Sequence, residues 1–137
     1  MLLSTILSLS FPPFILAQGT VPKCTFDNPP AAALTSVILD CYNTLGADPS
    51  STLVVNSDSV TPCYRVTRDR SAISKVTVRR REGHDGELRT TKGQVACAVG
   101  EILDRCGFGG GGRLVGGKYV VCGSDELAVE VEGEGNN

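Results

Sequence analysis

Apolar residues recur at helical spacing in two stretches of the chain. Val95, Ala98, Val99, Ile102, Leu103 and Cys106 stand at i, i+3, i+4, i+7, i+8 and i+11, which puts them on one face of a helix stopped by Gly107. Leu34, Val37, Ile38, Cys41 and Leu45 repeat the pattern within residues 31–45, with Gly46 as terminator. Elsewhere the period drops to two. Residues 74–79 alternate Lys75, Thr77 and Arg79 with Val76 and Val78, the mark of a strand with one wet face. Residues 52–56 and 63–67 read as short strands, and residues 114–122, after a glycine turn at 109–112, as a buried one. Leu127, Ala128, Val129 and Val131 mark one more.

The predicted order is helix, three strands, helix, two strands. Helices with a single apolar stripe need a sheet to cover, and strands with a polar side need only one face covered. The expected fold class is α+β: a two-layer α/β sandwich with two helices packed on one face of an antiparallel or mixed sheet of about four to five strands.

The ends of the chain and its cysteines add a compartment to this picture. Residues 1–17 carry no charged side chain, hold an apolar run from Leu2 to Leu16 and finish in Ala17 before Gln18, as a secretory signal peptide does. Pro12 and Pro13 interrupt that run, and it falls short of the ~20 apolar residues of a membrane anchor. Residues 18–137 then form a single disulfide-rich secreted domain with a polar, acidic tail at 132–137. Its six cysteines, Cys24, Cys41, Cys63, Cys97, Cys106 and Cys122, form an even set that implies disulfides, with the pairing left open. No Cys-x-x-Cys occurs and the single histidine, His84, is remote from every cysteine, so neither a metal nor another cofactor is expected.

The formal net charge of −2 hides an uneven distribution. Residues 64–92 hold nine of the thirteen basic residues against four acids, a formal +5, whereas five acids and no base follow Cys122. Arg65, Arg68, Arg79, Arg80, Arg81 and Arg89 are therefore candidates for contact with an anionic surface. The competing reading is a solvated strand face partly neutralised by the acidic end. Arg79-Arg80-Arg81 also fits a processing site of the secretory pathway, although a cut there would leave three cysteines on each side. Catalytic groups are sparse. His84 lies in a hydrophilic loop without a second histidine, and no Gly-x-Ser-x-Gly elbow occurs. Few aromatic residues are available for stacking bases, so nucleic acid is not an expected partner.

Cys24-Thr25-Phe26, a helix ending in Leu39-Asp40-Cys41, a Cys63-Tyr64-Arg65-Val66 strand and a second helix followed by Gly116-Gly117-Lys118-Tyr119-Val120-Val121-Cys122 together make a layout. It resembles the fungal secreted effectors of the necrosis-inducing-factor type and the killer toxins of smut fungi. It is similar also to small mushroom glycan-binding proteins in its cysteine-bounded second helix and glycine turn. The resemblance implies a secreted, non-enzymatic protein acting on a host or competitor cell, through a membrane, a channel or a glycan at its surface. The alternative it implies is a small lectin-like, glycan-binding protein.

The mature protein is expected to begin near Gln18, with all six cysteines oxidised. Its intact mass should lie six hydrogens below the reduced formula; two or more alkylatable thiols in the native protein would contradict this.

Overall fold

The computed structural model describes residues 21–25, 32–66 and 72–135. The expected signal peptide and Arg68 lie outside the described residues. The elements run β1 (Lys23–Cys24), β2 (Ala33–Leu34), α1 (Thr35–Gly46), β3 (Thr52–Val55), β4 (Ser59–Val66), β5 (Ala72–Arg80), β6 (Leu88–Thr91) and α2 (Lys92–Arg105). After α2 come β7 (Gly107–Phe108), a short turn of 3-10 helix (Gly110–Gly112), β8 (Leu114–Val115), β9 (Gly117–Val120) and β10 (Leu127–Gly135).

The main sheet has five strands in the order β1-β9-β10-β5-β4, all antiparallel. Two small sheets, β2-β8-β7 and β3-β6, sit beside it. Both helices pack on the same side, α1 over β5 and β4 and α2 over β9 and β10. This is the expected α+β sandwich. Its core lies between the layers: Val76 and Val78 of β5 with Leu127, Val129 and Val131 of β10 meet Ile38, Cys41 and Leu45 of α1 and Val95, Val99 and Ile102 of α2. All of these are buried, so the apolar stripes read from the sequence are the packing faces.

Local chemistry sets the helix boundaries. Thr91 and Gln94 form a capping box at the start of α2, in which Gln94 N donates to Thr91 Oγ1 and Thr91 N donates to Gln94 Oε1, each at 3.1 Å. Arg105 in the last turn suits the negative end of the helix dipole. Helix α1 lacks a side-chain cap at Leu34. Its first residue is tied instead to the glycine turn, Thr35 N to Arg113 O at 2.8 Å and Thr35 Oγ1 to Gly112 O at 2.6 Å.

Three expectations about strands need correction. Residues 114–122 are two short strands in different sheets, β8 and β9, parted at Gly116. Strand β4 starts earlier than expected, at Ser59, because a register shift between Val60 and Cys63 accommodates Pro62 within the pairing. The acidic end is no tail up to Gly135: Glu130, Glu132 and Glu134 alternate along β10 with Val131 and Gly133, and they pair across to β5. Gly133 is required there, since a Cβ would overlap the Ala32 carbonyl oxygen.

The six cysteines form three bridges, Cys24–Cys106, Cys41–Cys63 and Cys97–Cys122, and none is free. Cys41–Cys63 ties α1 to β4, and Cys24–Cys106 holds β1 to the end of α2. The sequence separations are 82, 22 and 25 for Cys24–Cys106, Cys41–Cys63 and Cys97–Cys122. Chain-entropy reasoning then gives the longest loop about 4.5 kcal/mol and the other two about 3.4 kcal/mol each.

Val99→Asp places an unpaired charge at a fully buried position and is expected to cost ~3 kcal/mol or more. Gly133→Ala should also destabilise strongly, whereas Gly110→Ala, with nothing within 4 Å of the added Cβ, should be close to neutral. Equal melting temperatures for all three variants would refute this packing.

Candidate functional site

With the helices covering one side, no described helix or strand packs over the other side of the five-stranded sheet. Along β5 it carries Lys75, Thr77 and Arg79, and along β10 Ala128, Glu130, Glu132 and Glu134. The charges alternate in sign across this pair of strands. Arg79 Nε donates to Glu130 Oε1 at 2.9 Å, and Lys75 Nζ lies 2.9 Å from Glu134 and 3.7 Å from Glu132. Much of the basic excess of residues 64–92 is thus answered by the acidic end of the chain.

The six candidate arginines do not converge on one place. Arg65 sits at the β4 edge, 3.4 Å from Asp40 of α1. Arg89 belongs to the small β3-β6 sheet and pairs with Glu87 at 2.8 Å. Arg80 points to the helix side of β5, where Nη2 donates to Gly86 O at 2.6 Å and Val55 O at 3.4 Å. Arg68 is outside the described residues. Among the described residues, Arg79 and Arg81 come together at the end of this face where β5 runs into its loop, with Arg80 between them lining the same hollows. Arg81 is held there by Nη1 donating to Asp125 O at 2.7 Å and by its backbone N–H donating to Glu126 O.

Two lysines that the sequence reading passed over complete the cluster. Lys23 of β1 and Lys118 of β9 are direct cross-strand partners on the open face, and neither has an ion-pair partner among the described residues. The neighbouring carboxylate, Glu130, lies opposite Lys118 in register but binds Arg79. A hollow of about 300 Å³ opens here, lined by Lys23, Arg81, Lys118, Val21, Val120 and Ala128. It adjoins a second of about 280 Å³ whose lining shares Arg81, Lys118 and Ala128 and adds Arg79, Arg80, Glu82 and Glu130. Four outward cations thus face two carboxylates. Ala128, the small residue opposite Arg79, leaves the depression. Strand alternation places Lys118 outward between Gly117 and Tyr119, a signal present in the sequence; the adjacency of β1 and β9 is not.

His84 lies 3.5 Å from Glu126, both partly exposed, at the edge of a further shallow hollow beside Arg81. A larger hollow of about 550 Å³ lies on the helix side, lined by Tyr42, Asn43, Pro49, Gly93 and Ala96 among others, without a charged side chain. Tyr42 rests over Gly100, where a Cβ would stand 3.0 Å from the ring.

Searches against protein-family models, curated proteins and solved structures find no match for this chain. It is a small cysteine-rich α+β protein with three disulfides. No described helix is long and apolar enough to cross a membrane, and the three bridges suit an oxidising compartment.

The Lys75 ammonium is held above its ordinary range, first by its hydrogen bond to Glu134, then by the field of Glu132 and Glu134, against an opposing effect of burial. Because the folded value exceeds the unfolded one, this contribution is complete below the unfolded pKa and is lost as pH rises through the folded one. The melting temperature should therefore fall as pH climbs above about 10.4, and the fall should be smaller in Glu134→Gln. Identical alkaline profiles for wild type and variant would show that the pair contributes nothing.

Proposed function

We propose that this is a secreted fungal protein of the effector or killer-toxin-like kind, acting without catalysis at the surface of a host or competitor cell. The observation that carries the reading is the uncovered sheet face. One end of it gathers Lys23, Lys118, Arg79 and Arg81 from three distant stretches of chain, while the other end exposes Tyr64 and Val66 of β4. A face with a cationic end and exposed apolar side chains suits contact with an anionic surface. Three bridges support a life outside the cell, where a small core benefits most from cross-links. The layout of cysteines, helices and glycine turn, which resembles the fungal effectors and smut killer toxins, supports the same assignment.

A second reading, a lectin-like glycan-binding protein, is favoured by the uncharged hollow beside Tyr42 and Asn43. A tyrosine ring and a primary amide are the groups that hold a neutral sugar, by stacking and by hydrogen bonding.

Infiltration of disulfide-verified protein into leaf tissue, or exposure of competitor fungal cells to it, is expected to cause leakage or death. Reduced and alkylated protein should be inert. Binding to a glycan array without any effect on cells would establish the lectin reading instead.

A further inference from the structure

Lys23 and Lys118 are directly opposed on neighbouring antiparallel strands. In such a pair the Cβ atoms stand about 5 Å apart, and like charges there oppose folding. The described residues offset this only in part: Glu130 stands opposite Lys118 but its carboxylate is engaged with Arg79, and the Arg81 guanidinium donates to a backbone carbonyl rather than a carboxylate. The fold therefore holds a concentrated positive charge that its own packing does not use. An anion between the two ammonium groups would offset the repulsion and accept hydrogen bonds from both.

The same hollow also carries an apolar part. Val21 is 62% exposed, and Val120 and Ala128 line the depression beside it. A free phosphate ion would leave these carbons in water, and an acidic glycan would set hydroxyl groups against them. A phospholipid matches both halves, with its phosphate among the cations and its glycerol and upper acyl carbons against the valines. Long lysine side chains beside apolar residues are suited to that boundary.

We propose that the hollow lined by Lys23, Lys118 and Arg81, with Val21 and Val120, is a binding site for the headgroup of an anionic phospholipid. This deepens the surface-contact reading and rests on it, since it names the ligand through which the open face would engage a cell.

Vesicles of phosphatidylcholine with and without phosphatidylserine are the probe, with sedimentation or surface resonance as the readout. Wild type should bind only the phosphatidylserine vesicles. The double variant Lys23→Ser/Lys118→Ser should bind them roughly thirtyfold more weakly, the loss of two cations near an anionic surface. Arg65→Ser/Arg89→Ser removes the same charge at distant positions and should bind within a few-fold of wild type. Val21→Ser should weaken vesicle binding several-fold. Lys118 is opposed by Lys23 on one side and faced by Glu130 on the other, so Lys118→Ser should leave the melting temperature nearly unchanged, and that measurement separates a lost affinity from a lost fold.

Equal losses in the two double variants would overturn the site in favour of a diffuse charge effect. Vesicle binding unchanged by Val21→Ser, with tighter binding to a sulfated glycan, would replace the lipid by the glycan. Failure of wild type to bind vesicles while it still damages cells would overturn the lipid site and leave the cell-directed reading intact. Vesicle binding with the stated variant pattern, but without any effect on cells, would do the opposite.

Discussion

The pairing of β10 with β5 is the constraint on which the rest of the molecule depends. It joins residues near the end of the chain to its middle over nine register pairs, and it is the centre of the five-stranded sheet. Its inward side supplies five of the buried apolar residues on which both helices sit, Val76, Val78, Leu127, Val129 and Val131. Its outward side supplies the alternating ladder of Lys75 and Arg79 with Glu130, Glu132 and Glu134. A slip of one residue would reverse both faces at once, burying carboxylates and exposing valines, so register and charge pattern enforce each other. The exposed pairs add little energy individually; their value lies in selecting this register.

The fold was largely legible because its core positions follow simple periods. Both helices lie where the apolar stripes place them, and residues 74–79 and 127–131 form the central strands. The misreadings have physical causes. Leu88–Thr91 escaped notice because its apolar content is one leucine; it becomes a strand by pairing with β3 and then serves as the cap of α2. Pro62 hid the first half of β4, since a proline inside a strand normally argues against pairing. The acidic end looked like a tail because glycine and glutamate are poor strand formers, and only partnership with β5 makes them one.

The candidate site was legible in part for a different reason. Local sequence shows a run of three arginines, yet strand alternation sends Arg79 outward and Arg80 toward the helices, so a contiguous charge cluster does not become a contiguous surface. The cations that do share a surface come from Lys23, Lys118 and the Arg79–Arg81 corner, and their meeting is a property of strand order. No reading of neighbours along the chain can reveal that β1 lies against β9.

Position along the chain links the cationic end to the cross-links. Lys23 immediately precedes Cys24, and β1 is only these two residues long. Two residues of ladder hydrogen bonding are a weak tether, so the Cys24–Cys106 bridge is what keeps Lys23 beside Lys118. Once that bridge is opened, the strand has little to hold it and the hollow loses one wall together with one of its three cations. The surface is therefore complete only where thiols are oxidised. Carried into a reducing cytosol, the same chain would lose this surface, a built-in limit on where it is complete.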